Sequence, residues 1–228
     1  MLAEIFGNPD NMVDLRIQAA VLLGELGPGA KAAVPALVEA LDLQDPYLRG
    51  VAIRSLSEVA PDDDEVMARL VPLLEGSHRL TTLTVFSRVR AGGPAVVEAL
   101  RKLVEEDSDP AWTALAVEAL ALRKAGARPA VGPVRKALTH PDPVVRRNAA
   151  EALGRIGGPE PQVIPALAER LSDGDAVVRG AAARSLGWFG PAAKPAAPAL
   201  RKLLDDPDKA VRSQAAQALG RIAPPNDS

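Results

Sequence analysis

A sixteen-residue segment returns along this chain at a nearly fixed step, and that step constrains the fold more than any other feature. DPVVRRNAAEALGRIG (142–157) recurs as DAVVRGAAARSLGWFG (175–190) and DKAVRSQAAQALGRIA (208–223). The register is 33 residues, marked by Arg146, Arg179 and Arg212 and by Leu153, Leu186 and Leu219. One further step back reaches Leu120 in DPAWTALAVEALALRKAG, where Thr113 takes the arginine's place. Val89 lies 31 residues before Leu120, and Leu56 and Leu23 follow at 33, with Arg49 and Arg16 in place. Seven copies therefore fill residues 10–223. Between them sits a second motif, seen as AAVPALVEAL (32–41), VIPALAERL (163–171) and AAPALRKLL (196–204). A period in this range is the signature of stacked supersecondary units.

Each motif predicts one helix. Val145, Ala149, Leu153 and Ile156 recur at spacings of three and four, a helical stripe and not a strand alternation. Asp45, Asp109, Asp142, Asp175 and Asp208 precede the first helix as N-cap candidates. Pro46, Pro110 and Pro143 stand at the first helical position, where no N–H is needed. Gly27-Pro28, Gly158-Pro159 and Gly190-Pro191 end copies. A helix pair of this length cannot bury its own apolar face, so the copies are expected to stack into one continuous core. The mid-helix glycines Gly24, Gly154, Gly187 and Gly220 each cost about 1 kcal/mol relative to Ala, which close approach of neighbouring helices would offset.

Composition narrows the function. Cysteine is absent, which removes disulfides, thiolate metal sites and cysteine nucleophiles. The net charge of −2 gives no global case for a nucleic-acid binder. No stretch reaches the ~18 apolar residues of a membrane span, and MLAEIFGNPD lacks the pattern of a signal peptide, so the expected compartment is the cytoplasm. The histidines, His78 and His140, have no zinc-ligand spacing, and GRIGG (154–158) follows no strand, so it is not a phosphate loop. Asp62-Asp63-Asp64, Glu105-Glu106 and Asp205-Asp206 flank turns or helix ends, where solvation and the helix dipole account for them. No cofactor, metal or catalytic residue is expected.

The pattern L-x-D-x-x-V-R-x-x-A-A-x-A-L-G-x-I followed by P-A-L-x-x-L-L resembles HEAT repeats of bacterial proteins, including the phycobilisome-lyase-like subgroup. The resemblance is strong around Arg16, Arg49, Arg146, Arg179 and Arg212, and weak over 78–125, where His78 replaces the Asp and Thr82 and Thr113 replace the Arg. It implies an all-α, right-handed α-solenoid of about six and a half helix pairs, with the Asp/VR helix on the concave face and the Pro-bearing helix on the convex one. The whole chain, 1–228, then reads as one solenoid domain, with a partial capping helix at 1–9 and a polar tail at 224–228. The sequence opens in a short helix-like LAEIF and closes on a first-motif helix and the polar tail PPNDS, where such arrays usually carry polar capping repeats, so an excised fragment or a homodimer closed through its ends is expected. Deoxyhypusine hydroxylase carries iron on related repeats through His-Glu pairs, and this sequence has no His-Glu dipeptide.

Asp and Arg stand four apart in four of the seven copies, which predicts an ion pair on one helix face, stacked into a structural ladder. Its members are Arg16, Asp45, Arg49, Asp142, Arg146, Asp175, Arg179, Asp208 and Arg212. Binding must come from positions that vary. Counted from each arginine, positions +1, +2, +5 and +9 are expected to face away from the apolar stripe. The first half of this face is apolar with acidic spots, including Ile17, Gln18, Val21 and Glu25, then Gly50, Val51, Arg54 and Glu58, then Leu83, Thr84 and Ser87, then Ala114, Leu115, Glu118 and Leu122. The last three copies supply Arg147, Asn148, Glu151 and Arg155, then Gly180, Ala181, Arg184 and Trp188, then Ser213, Gln214, Gln217 and Arg221. Trp188 takes a place filled elsewhere by Arg155, Arg221, Glu25 and Glu58, so it is expected at the surface, either as an interface anchor or stacked on Phe189 or an arginine. Trp112, in the register of Val145, is expected in the core. The function expected is a non-enzymatic scaffold or adaptor holding a partner protein or peptide on the concave face. The alternatives are nucleic-acid binding through Arg147, Arg155, Arg184 and Arg221, or, by family analogy alone, a bilin-lyase-like accessory role.

Overall fold

Aspartate side chains start five of the seven first-motif helices by accepting backbone N–H groups that have no partner inside the helix. In the computed structural model, which describes residues 1–106, 109–158 and 161–223, Asp45 accepts from the Tyr47 and Leu48 N–H at 2.8 and 3.0 Å. Asp208 accepts from Ala210 and Val211 at 2.7 and 3.2 Å, and Asp109, Asp142 and Asp175 cap in the same way. The helices so formed are α4 (Pro46–Val59), α8 (Pro110–Leu122), α10 (Pro143–Ile156), α12 (Ala176–Trp188) and α14 (Lys209–Ile222). The other two copies, without a capping carboxylate, are α2 (Val13–Glu25) and α6 (Arg79–Phe86). His78 stands at the cap position of α6 and makes no side-chain cap bond, and α6 is the shortest of the seven at 8 residues.

The second motif gives α3 (Val34–Glu39), α5 (Asp64–Ala68), α7 (Gly93–Glu106), α9 (Val131–Lys136), α11 (Val163–Arg170) and α13 (Ala197–Lys202). A short α1 (Leu2–Gly7) precedes them all. No strand occurs among the described residues, and none of their helices is long and apolar enough to cross a membrane. Gly27 and Gly190 close α2 and α12 in the left-handed region, both at φ +55. Lys124, in the same register, adopts φ +50 without the freedom of glycine. Pro159 and the tail 224–228 lie outside the described residues.

The chain divides into two compact units, Met1–Ala99 and Leu100–Ser228. In the first unit α1, α2, α4 and α6 lie side by side in chain order, with α3 packed behind α4. In the second, α8, α10, α12 and α14 form one layer, with α9, α11 and α13 packed against it. Each unit is thus an all-α solenoid stack. Val145, Ala149, Leu153 and Ile156 are all buried, as are their counterparts Val178, Ala182, Leu186 and Val211.

The arginines do not pair with the aspartate four residues before them, because that carboxylate is committed to the backbone of its own helix. Each arginine reaches elsewhere. Arg146 Nη1 donates to the carbonyls of His140 and Pro141 at 2.9 and 2.8 Å, Arg179 Nη1 to those of Asp173 and Gly174, and Arg212 Nη1 to those of Asp206 and Pro207. Arg49 bonds the Leu43 carbonyl and Arg16 the Phe6 carbonyl. Two arginines also cross to the next repeat. Arg146 grips Asp173 with Nε and Nη2 at 2.9 and 2.8 Å, and Arg179 grips Asp206 in the same fork at 2.8 and 2.9 Å. Both carboxylates also accept a backbone N–H two residues on, from Asp175 and Asp208.

The hydrogen bonds from Arg179 hold the Asp206 carboxyl below the usual carboxylate range against the opposing effect of burial. At Asp173 burial is the largest influence and pushes the pKa up, but the bonds from Arg146 and the Asp175 N–H outweigh it, so the net shift is again downward. Arg179→Ala leaves the Asp206 side chain, 5% exposed, without its partner. Loss of one member of a buried pair costs about 3 kcal/mol, and chemical denaturation should read that loss. An unfolding curve superimposable on wild type would remove the ladder from the account. The acid limb provides a second check. A folded pKa below the unfolded value of about 3.9 stabilises fully above that pH and is lost as pH falls through the folded value. The stability deficit of Asp206→Asn relative to wild type should therefore be constant from neutrality to about pH 5 and shrink below about pH 4.

Candidate functional site

Trp188 closes α12, and its place is made by a glycine on the neighbouring helix. A Cβ built on Gly154 of α10 would come within 2.6 Å of Trp188 Cε3, 2.7 Å of Ser185 Oγ and 2.8 Å of Ser185 Cβ. The indole therefore lies directly over the Gly154 backbone. Its outer face stays open, with 40% of the residue exposed. Arg155 and Arg184 place their guanidinium carbons 5.8 and 6.0 Å from the ring centroid, within cation–π range. Arg184 Nη2 donates to Glu151 Oε1 at 2.6 Å, tying α12 to α10 across the repeat step. The result is a half-open aromatic plate framed by two cations, one of them neutralised.

Other expected contact residues are more committed. Arg147 donates through Nε and Nη2 to Asn148 Oδ1 at 3.0 and 2.8 Å, and Asn148 Nδ2 donates to the Ala114 carbonyl of α8 at 3.1 Å. This chain stitches α10 to α8 and uses Asn148 structurally. Gln217 Nε2 donates weakly to Ser213 Oγ one turn earlier, at 3.3 Å, and Gln214 is half-buried beside Gly180. Arg221 is exposed, and its Cδ lies over Gly187 and not over the indole. The structure thus gathers Glu151, Arg155, Arg184 and Trp188, and leaves Arg147, Asn148, Gln214, Gln217 and Arg221 around them.

Comparison with known proteins fits this architecture. The family described as HEAT repeats matches residues 97–187 and 164–228, and the PBS lyase HEAT-like repeat matches 15–42. The chain belongs to the HEAT-repeat family. Among solved structures, an engineered protein aligns with a TM-score of 0.65 at 24% identity, covering 97% of this chain and 67% of the other. A designed armadillo repeat protein in complex with the peptide (KR)4 aligns at 0.53 with 19% identity, covering 97% and 98%. The complex of CpcE and CpcF of phycocyanin lyase from Nostoc sp. PCC7120 aligns at 0.52 with 22% identity, covering 97% and 93%. No curated protein matches the chain.

Within these HEAT repeats, the four positions expected to face outward separate into two pairs. Positions +5 and +9 are the more open pair: Val21, Glu25, Arg54, Glu58, Glu118, Arg155, Trp188, Gln217 and Arg221 are exposed, and Ser87, Leu122, Glu151 and Arg184 are half-buried. Positions +1 and +2 are more often covered by the adjacent first-layer helix: Gly50, Val51, Leu83, Ala114, Gly180 and Ala181 are buried there, while Gln18 and Ser213 stay exposed. Side-by-side packing of successive HEAT helices covers that flank, which a single-helix projection leaves open. Trp112 departs from expectation in the other direction. It is half-buried, because an indole exceeds the slot that Val145 fills completely in the next repeat. His140 is half-buried and accepts the Asp142 N–H at Nδ1 across 3.0 Å, the bond that Asp173 and Asp206 make in later repeats.

Asp173, Asp206 and Gly154 are the residues the sequence reading missed as partners. A signal for the first two exists: each lies 27 residues after a ladder arginine. Among the described residues no cluster of His, Cys, Asp and Glu could hold a metal ion. The plate itself can be tested in a Trp112→Phe background, where Trp188 is the sole indole. Gly154→Ala should eject Trp188 from its bed, moving its fluorescence to the red and raising its quenching by iodide severalfold. An unchanged spectrum would show that the neighbouring helices can absorb the extra methyl.

Proposed function

We propose that this HEAT-repeat chain is a non-enzymatic scaffold that holds a partner protein or peptide on the outward face of α10, α12 and α14, with Trp188 as its anchor. One observation carries the reading. A tryptophan 40% exposed and braced by two arginines stands at a position where four of the other repeats place Glu or Arg. Trp and Arg are the residue types most enriched among energetic anchors of interfaces, and rigid bracing lowers the entropy lost when a partner docks. The designed armadillo protein of similar fold is in complex with a basic peptide, (KR)4. The face here is itself basic, since Arg155 and Arg221 keep free charges, so a segment pairing an apolar side chain with Asp or Glu suits it.

Nucleic acid suits it less. Of the four arginines that would track a phosphate backbone, Arg184 is neutralised by Glu151 and Arg147 is held by Asn148. Two free guanidiniums give little of the counterion release that dominates such binding.

A displayed peptide library selected against the wild-type chain tests the proposal. Peptides so enriched should bind Trp188→Ala about 30-fold more weakly, the ~2 kcal/mol typical of an anchor. The variant should lose only about 1 kcal/mol of stability, from the packed edge of the indole. Affinity should fall gently with salt; a steep logarithmic slope would favour nucleic acid. Selected peptides that bind Trp188→Ala as tightly as wild type would move the site elsewhere.

A further inference from the structure

The first unit contains a cavity that the Trp188 face does not explain. It has a volume of about 490 Å³ and lies between the C-terminal half of α4 and the short helix α6. Its origin is legible in the repeat register. Gly24, Gly154 and Gly187 let the next helix approach, with a built Cβ meeting Ser55, Ser185 and Ala218 at 3.3, 2.7 and 2.9 Å. On α4 the same position is Ser57, which lines the cavity. The neighbour has also lost most of its second half, since α6 ends at Phe86 after 8 residues, against 14 for α4. Two helices that touch elsewhere in the array here leave a space within the size range of small-ligand sites.

The lining has a definite chemistry. Leu80, Val85, Val89 and Pro61 supply apolar walls, and Leu80 is 56% exposed although it is a large aliphatic residue. Arg54 and Arg88 supply two guanidiniums, both exposed, and neither is within ion-pairing distance of a carboxylate among the described residues. Glu58, one turn after Arg54, is the cavity's single carboxylate, so the lining carries an excess of one positive charge. Ser57 and Thr84 donate their hydroxyl hydrogens to the Arg54 and Leu80 carbonyls, leaving oxygens that accept and do not compete for an anion. Arg54 and Arg88, with the hydroxyl of Thr81, are thus the lining side chains left to bind negative charge.

We infer that this cavity binds a monoanionic carboxylate carried on a short apolar body, with Arg54 and Arg88 holding the carboxylate and Leu80, Val85 and Val89 holding the body. Guanidinium groups are suited to this task because their planar N–H fork matches a carboxylate and keeps its charge at every physiological pH. Such a group can arrive as a free medium-chain acid or as the last residue of a chain ending in an apolar side chain. The site lies in a different unit from Trp188 and does not depend on that face being used.

The experiment uses the full chain, labelled with ¹⁵N, and three probes: octanoate, an N-acetylated Ala-Leu-Leu peptide with a free C-terminal carboxylate, and the same peptide as its C-terminal amide. Octanoate or the free-acid peptide, or both, should give saturable shifts confined to amides of α4 and α6, and which of them binds identifies the source. The amide should bind at least tenfold more weakly than the acid. The double variant Arg54→Met/Arg88→Met should lose at least tenfold in affinity for the acid that binds, and Thr84→Trp, which fills the cavity, should abolish binding. Both variants alter side chains outside the buried core, and unchanged melting verifies that they fold. Equal binding of acid and amide, full affinity in the arginine variant, shifts centred on other helices, or no saturable shift by either acid up to about 10 mM would each overturn the assignment.

Discussion

The bidentate grip of Arg146 on Asp173, and of Arg179 on Asp206, fixes one repeat against the next in the second unit. Each arginine works on both sides of a junction. Nη1 bonds two carbonyls of the turn leading into its own helix, while Nε and Nη2 hold the carboxylate 27 residues on. That carboxylate in turn accepts the N–H of the next capping aspartate, which starts the next helix. Turn, helix start and repeat step are thereby coupled through one guanidinium. The apolar stripe still supplies most of the driving force, at about 1.5–3 kcal/mol for each fully buried aliphatic side chain. A buried ion pair adds little net stability after desolvation. Its geometric demand is strict, however, and a slipped register would leave two buried charges unpaired, so the pair selects one stacking among those the apolar faces would tolerate.

At the junction after α8 both halves of the pair are missing together. Thr113 replaces the arginine, and 27 residues on His140 replaces the aspartate, so neither is left as an orphan charge. His140 keeps the local part of the role by accepting the Asp142 N–H. The junction after Arg49 is different. Residue 76 is a glycine, and Arg49 is left with the Leu43 carbonyl of its own turn. His78 then replaces the capping aspartate and is buried under the influence of burial and of Arg49, both of which lower its pKa. Thr82 replaces the next arginine, and its hydroxyl is buried without a hydrogen-bond partner. An uncapped helix with such a junction is short, and the space it vacates is the cavity beside α4.

Most of the fold was legible because the repeat shows each rule several times. The capping aspartates, the N1 prolines of α4, α8 and α10, the apolar stripe and all seven first-motif helices follow from local chemistry that a short window of sequence contains. The partner of each arginine was not legible at that range. Asp142 and Arg146 are four apart and look like a helical ion pair, yet a capping carboxylate has its oxygen turned to the backbone and cannot serve both. The outward face was half legible for a related reason. A helical projection gives directions from one axis, and which flank is covered depends on a neighbour 33 residues away. Arg155 and Trp188 come out correctly placed, while Val51, Leu83 and Ala181 vanish into the interface between helices.

The same close packing decides where recognition can occur. Glycine at 154 and 187 brings α10, α12 and α14 close together, so the +5 and +9 positions are the ones left most open to a partner. In most repeats those positions carry flexible Glu, Arg or Gln, whose ordering on contact costs about 1–2 kcal/mol each in side-chain entropy. Trp188 escapes that cost. The Gly154 backbone forms its floor, and Arg155 and Arg184 lie within cation–π range of the ring, so the ring is in place before any partner arrives. The glycine therefore has two consequences that cannot be separated: it lets α10 and α12 come together, and it leaves room for the indole against the backbone of α10, with 40% of the residue exposed. A structural residue in the repeat code thus helps set the geometry of a residue that departs from it.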